Sequence, residues 1–322
     1  MGFLTKKLAI SHRLLLGVYG IVPLCILVVF ADILFFGAAS RPYFSLTLMG
    51  AFLYLLFFEL PHIIASFISY ADKEYLLFYK KRLWWQVPTI FLITAGLVYI
   101  DLSFAITLYI IYTMYHVIGQ QTGISAMLLR GGHPLHQAWK AVAVAFGSLG
   151  YTTLLFPAIV TEIFGQYGPL ALGGSIGIFF LISLYILVRL APGVGRQYFL
   201  ATSAMILTSY AFLILGYLFL ALFVVRFVHD ITAFIFYMAH DHNRNFEEHK
   251  NYVFKLLAPF KVPVLFLAPL LGILLAYTIQ FNDGIYATSV STALAIGFVH
   301  YYLEGFMWKR DSLHRAQLQL AP

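Results

Sequence analysis

The sequence predicts an all-α, polytopic integral membrane protein: a helical bundle of about ten transmembrane helices with both termini cytoplasmic. Three observations carry this. Of the 322 residues, 61% are hydrophobic and only 10% charged, whereas soluble domains keep roughly a quarter of their residues charged. Apolar runs such as 43–70 exceed the ~20 residues a helix needs to cross hydrocarbon, and they lack the alternation of barrel strands. Helices also satisfy their own backbone in lipid, and the basic residues fall into a regular inside-positive pattern once ten spans are drawn.

The spans are 14–39, 43–70, 86–101, 103–129, 141–164, 169–190, 198–216, 217–240, 262–280 and 285–306. The first follows Lys6, Lys7 and Arg13. It is too long for the apolar part of a signal peptide, so it reads as a retained anchor although Gly37-Ala38-Ala39 faintly resembles a cleavage site. The third span is short. The run 198–240 would overshoot the bilayer as a single helix and is divided near Gly216. With the N-terminus inside, 18 of the 20 Lys and Arg lie in inner segments. Arg41 alone faces out and Arg226 lies within a span. The inner loop Asp72–Gln86 carries four basic residues and sets Trp84 and Trp85 at the headgroups. The whole chain reads as one transmembrane domain without a soluble domain, in a bacterial inner membrane. The formal charge of +7 is thereby explained by topology, and no nucleic-acid partner is expected. The lone Cys25 excludes an internal disulfide and Cys-rich metal sites.

All eleven histidines fall in inner segments or within spans. At 1.5 Å per residue, His62 lies about 12 Å from the inner end of its span, His116 about 20 Å, His229 about 17 Å and His300 about 9 Å. Four helices thus bring one imidazole each to a similar depth in the inner half of the bilayer. Phe227-Val228-His229 and Phe298-Val299-His300 echo one another in spans that run inward. Carboxylates accompany them. Glu59 shares a helix face with His62, Asp230 follows His229, and Glu304 lies one turn beyond His300. Gln120 lies one turn from His116. Ionisable groups inside a membrane are costly and usually face the bundle interior or a water-filled route. Imidazole with carboxylate suits non-haem iron, and Glu-x-x-His is a ligand pair of di-iron bundles, although Pro61 stands inside this one.

His240 is about 16 Å from His229 along an unbroken helix. It joins the metal set only if the helix breaks; otherwise, with Glu304, it closes the site at the cytoplasmic mouth. His12, His133, His136, His249 and His314 read as surface residues.

Leu60-Pro61-His62, Tyr115-His116 with Gln120-Gln121, His229-Asp230 with His240, and His300 through Glu304 form an arrangement similar in type to the membrane carotene dioxygenases. Those proteins hold non-haem iron with histidines from several helices. The resemblance implies a metal-dependent oxygenase acting on a lipid-soluble substrate drawn from the bilayer. In that reading His62, His116, His229, His300 and His240 bind the metal, while Glu59, Asp230 and Glu304 serve as further ligands or catalytic carboxylates. Alternatives stay open. A zinc hydrolase resembling in type the ceramidase and adiponectin-receptor superfamily would recruit Ser66, haem needs only two facing histidines, and a transporter would use the same side chains as a proton or metal route.

Overall fold

Chain punctuation in the computed structural model follows from a few backbone specialists. The structure describes residues 6–44, 55–129, 135–155, 161, 165–260, 264–280 and 286–321. Strand β1 (Ala9–Ser11) leads into α1 (His12–Val18), and α2 (Ile21–Phe36) follows after a break at Gly20. Gly37, at φ 58°, ends α2 in the left-handed region, where a side chain would be strained. A π-helical turn, Leu55–Glu59, runs directly into α3 (Leu60–Ser69). The cause is Pro61 in the first turn, which has no N–H to give to the preceding turn. Next come the short α4 (Lys73–Phe78), α5 (Val87–Ile100), α6 (Leu102–Leu128), α7 (His136–Leu155), α8 (Gly168–Arg189) and α9 (Val194–Leu215). Gly216, at φ 81°, stops α9, so the 198–240 run is divided where its length required. Helix α10 (Leu218–Arg244), α11 (Tyr252–Leu257), α12 (Val264–Gln280), α13 (Tyr286–Met307) and strand β2 (Gln319–Ala321) complete the order.

Helix dominates the described residues, so the protein is all-α apart from one small sheet. That sheet pairs β1 with β2 in parallel, Ile10 opposite Leu320, and brings the two ends of the chain side by side. Among the described residues, six helical stretches are long and apolar enough to cross a membrane, as an integral multi-pass protein requires. Their exposed faces carry Phe35, Leu92, Ile100, Leu170 and Val188, and such faces need a hydrocarbon solvent. Arg130, Lys261 and His133 lie outside the described residues, as do the outer part of span 43–70 and the region around Asn282.

The chain divides into two compact units. Unit 1 comprises Met1–His12, Phe52–Tyr109 and Asp230–Pro322; unit 2 comprises Arg13–Ala51 and Ile110–His229. In unit 1, α12 packs on α3 and α13 packs on α5. The α12–α3 approach depends on Gly272, where a Cβ would stand 2.7 Å from the Pro61 carbonyl oxygen; small residues permit such contacts between membrane helices. In unit 2, α8 packs on α7 and α9. There Asp32 on α2 is buried, accepts from Tyr217 at 2.5 Å, and has Arg41 over the same tyrosine ring at 5.7 Å.

Candidate metal centre

In unit 1 the sequence-predicted residues His62, Asp230 and His300 converge, and all are fully buried. His62 stands near the start of α3, where Pro61 fixes the chain's entry into the helix. Its Nδ1 lies 3.3 Å from the Phe58 carbonyl oxygen and 3.1 Å from Asp230 Oδ1. The Phe58 carbonyl only accepts, so Nδ1 carries the proton. His300, on α13, has its Nδ1 2.9 Å from Ser66 Oγ. The one proton of Ser66 is given to the Ile63 carbonyl at 2.5 Å, which leaves its oxygen to accept from His300 Nδ1–H. Both imidazoles therefore turn Nε2 inward, and these atoms meet at 3.1 Å. With both protons on Nδ1, two lone pairs face each other at that distance. A shared cation relieves the repulsion. Two nitrogens each about 2.1 Å from one ion lie roughly 3.0–3.4 Å apart at ligand angles of about 90–110°.

In unit 2, His116 on α6 and His229 on α10 pack edge to face, with ring centroids 4.9 Å apart. His229 Nδ1 lies 2.9 Å from Gln120 Oε1, again an oxygen that only accepts. His62, His300 and His229 thus have Nδ1 tied by hydrogen bonds, the arrangement that fixes the tautomer and orientation of metal-ligating imidazoles. Buried histidine and glutamate side chains form clusters that could hold a metal ion.

The remaining predicted residues have other partners. Glu59 ends the π-helical turn and accepts from Tyr109 at 3.4 Å. Tyr109 in turn accepts from Tyr301 at 3.0 Å, and it lies against Gly297, where a Cβ would be 2.5 Å from its ring. Glu304 is buried and accepts from Tyr237.

At His240, α10 runs unbroken to Arg244, without the helix break that the sequence reading required for it to join His229. Its Nδ1–H goes to Asp241 Oδ1 at 2.8 Å, its Nε2 lies 2.9 Å from Tyr75 OH, and its ring stacks on His314 at 4.8 Å.

His314 and His136, expected at the surface, are buried. His314 belongs to a clamp that holds both chain ends against α10. Its Nε2–H reaches Ser69 Oγ at 3.2 Å and its Nδ1 accepts from Tyr79 at 3.2 Å. Burial, aided by the neighbouring charges of His240 and Arg244, holds its pKa well below the usual imidazole range. The polar run after His240 completes the clamp. His242 donates to the Lys6 carbonyl at 3.0 Å. Asn243 donates to the Leu8 and Gln317 carbonyls and accepts from Leu8 N–H. Arg244 makes a two-pronged bond to Asp72 at 2.8 and 3.0 Å. Sequence reasoning did not foresee that these side chains find protein partners. It also passed over Tyr19 and Tyr198, whose polar groups inside apolar spans were the only signal.

Comparison with protein-family models, curated proteins and solved structures gave no match.

Proposed function

We propose that the protein is a metal-dependent membrane oxidoreductase of the non-haem-iron kind, acting on a lipid-soluble substrate in a bacterial inner membrane. The single observation behind the reading is the facing pair of Nε2 atoms of His62 and His300, with both Nδ1 atoms committed elsewhere. His62 and His300 are the central ligands, Asp230 lies beside His62, and in unit 2 His116 and His229 offer a second pair of imidazoles. Glu59 and Glu304 each accept from a tyrosine hydroxyl. Imidazole with carboxylate and no thiolate favours iron over softer-ligand sites, and iron bound there would supply dioxygen chemistry. Ser66 spends its hydroxyl on the Nδ1 side of His300, away from Nε2, which disfavours the zinc-hydrolase reading.

The same pair also fits a proton shared between two imidazoles, the reading in which these side chains line a proton route. Elemental analysis and absorption spectra of detergent-purified protein, for wild type and for His62→Ala and His300→Ala, separate the two. Stoichiometric iron lost in both variants is the expected result. Stoichiometric zinc moves the assignment to a hydrolase and a Soret band to haem. Folded wild type without metal overturns the enzyme reading in favour of proton transfer.

A further inference from the structure

Unit 2 contains a buried polar chain that the metal reading does not require and that ends on one of its histidines. The hydroxyls of Tyr198 and Tyr19 converge on Gln121 Oε1, at 2.5 and 2.9 Å. Thr202 Oγ1 holds the Tyr19 hydroxyl from the side at 2.7 Å, and the two tyrosine rings pack edge to face at 5.2 Å. Gln121 then donates from Nε2 to Gln120 Oε1 at 3.0 Å, and Gln120 Oε1 lies 2.9 Å from His229 Nδ1. Tyr19, Tyr198, Thr202, Gln121 and His229 are all buried.

The polarity of this chain runs one way. Donation from the Tyr198 hydroxyl to Gln121 Oε1, with the Tyr19 hydroxyl beside it, puts the amide oxygen on the tyrosine side and the NH₂ on the Gln120 side. An NH₂ group only donates, so Gln120 must present its oxygen there. That oxygen only accepts, so His229 must carry its proton on Nδ1. We infer that Tyr19 and Tyr198, acting through Gln121 and Gln120, are positioning residues that set the tautomer of His229 and leave Nε2 as its ligating atom. The ligating role rests on the metal reading above. The tautomer does not.

The test uses the full chain, labelled with ¹⁵N-histidine, stripped of metal and reconstituted in lipid. Solid-state NMR distinguishes protonated from unprotonated imidazole nitrogen, and His229→Asn assigns the His229 signals by difference. Wild type should show His229 protonated on Nδ1. Gln121→Glu exchanges one NH₂ for an oxygen that can only accept. Gln120 then turns its NH₂ toward both neighbours, and the His229 proton should move to Nε2. His229 still protonated on Nδ1 in Gln121→Glu, with the His62 and His300 signals unshifted, overturns the inference.

Should Gln121→Glu fail to fold, the Tyr19→Phe/Tyr198→Phe double variant removes the donors without adding charge. It should populate both tautomers, and a single unchanged Nδ1–H form overturns the inference. Iron content of the same variants is read in parallel. An inverted tautomer with unchanged iron supports the relay and removes His229 from the ligand set, so the two ideas fail separately.

Discussion

Replacing Ser66 by alanine tests the proposed metal centre without touching a proposed ligand. Ser66 Oγ is the acceptor for His300 Nδ1–H at 2.9 Å, and both residues are fully buried. No water replaces the lost partner at such a site, so an unmet N–H costs about 1–3 kcal/mol. Partners that orient a ligating imidazole change metal affinity by about 10–100-fold when removed, which corresponds to about 1.4–2.7 kcal/mol. The two estimates agree. Ser66→Ala should therefore weaken iron binding about 10–100-fold, measured by chelator competition on anaerobic, detergent-purified protein. Ser69→Ala is the control. It lies nearly one turn further along α3, and its hydroxyl serves His314 instead; affinity should stay within about twofold of wild type. Wild-type affinity in Ser66→Ala, or an equal loss in Ser69→Ala, would refute the argument that hydrogen-bond polarity turns His300 Nε2 toward the metal.

Three further outcomes follow from the clamp. Asn243 makes three hydrogen bonds to the two chain ends, so Asn243→Ala should release them at a cost of about 2–4 kcal/mol; hydrogen exchange of the β1 and β2 amides should quicken at least tenfold while that of α13 holds. Arg244→Ala leaves Asp72, itself buried, without its ion pair, a loss of about 3–5 kcal/mol, and a thermal midpoint in detergent equal to wild type would show the pair to be dispensable. The acid dependence of the tail follows from His314, whose pKa is lowered in the folded protein. Its clamp is fully formed above the unfolded value of about 6.5 and weakens as pH falls below that, because the released tail binds the extra proton. Proteolysis of the C-terminal residues should accelerate between neutral and mildly acid pH, and His314→Gln should flatten that dependence.

The parts of this structure legible in the sequence are those governed by one-dimensional quantities. Helix positions follow from the lengths of apolar runs, and the division at Gly216 follows from the mismatch between one long run and the bilayer. The end of α10 was not legible in the same way. Hydropathy falls at His240, yet the helix continues to Arg244, because the backbone ladder extends as long as its side chains find partners, and these do. The pairing of the chain ends was invisible for the same reason. Nothing in residues 9–11 or 319–321 marks a strand; Asn243, more than two hundred residues from the first, draws them together.

The candidate site divides along a similar line. That His62 and His300 lie close together was readable, because span boundaries convert position into depth. Which nitrogen each presents was not readable. That depends on Ser66 giving its only proton to Ile63, and on the Phe58 carbonyl offering nothing but an acceptor to His62. Glu-x-x-His spacing suggested Glu59 as the partner of His62, yet Glu59 accepts from Tyr109 and Asp230 beside the His62 ring comes from another helix. Spacing along one helix names residues that share a face. Only the neighbouring helices decide which atoms on that face meet, and in this protein those atoms separate an imidazole that offers a lone pair from one that offers a proton.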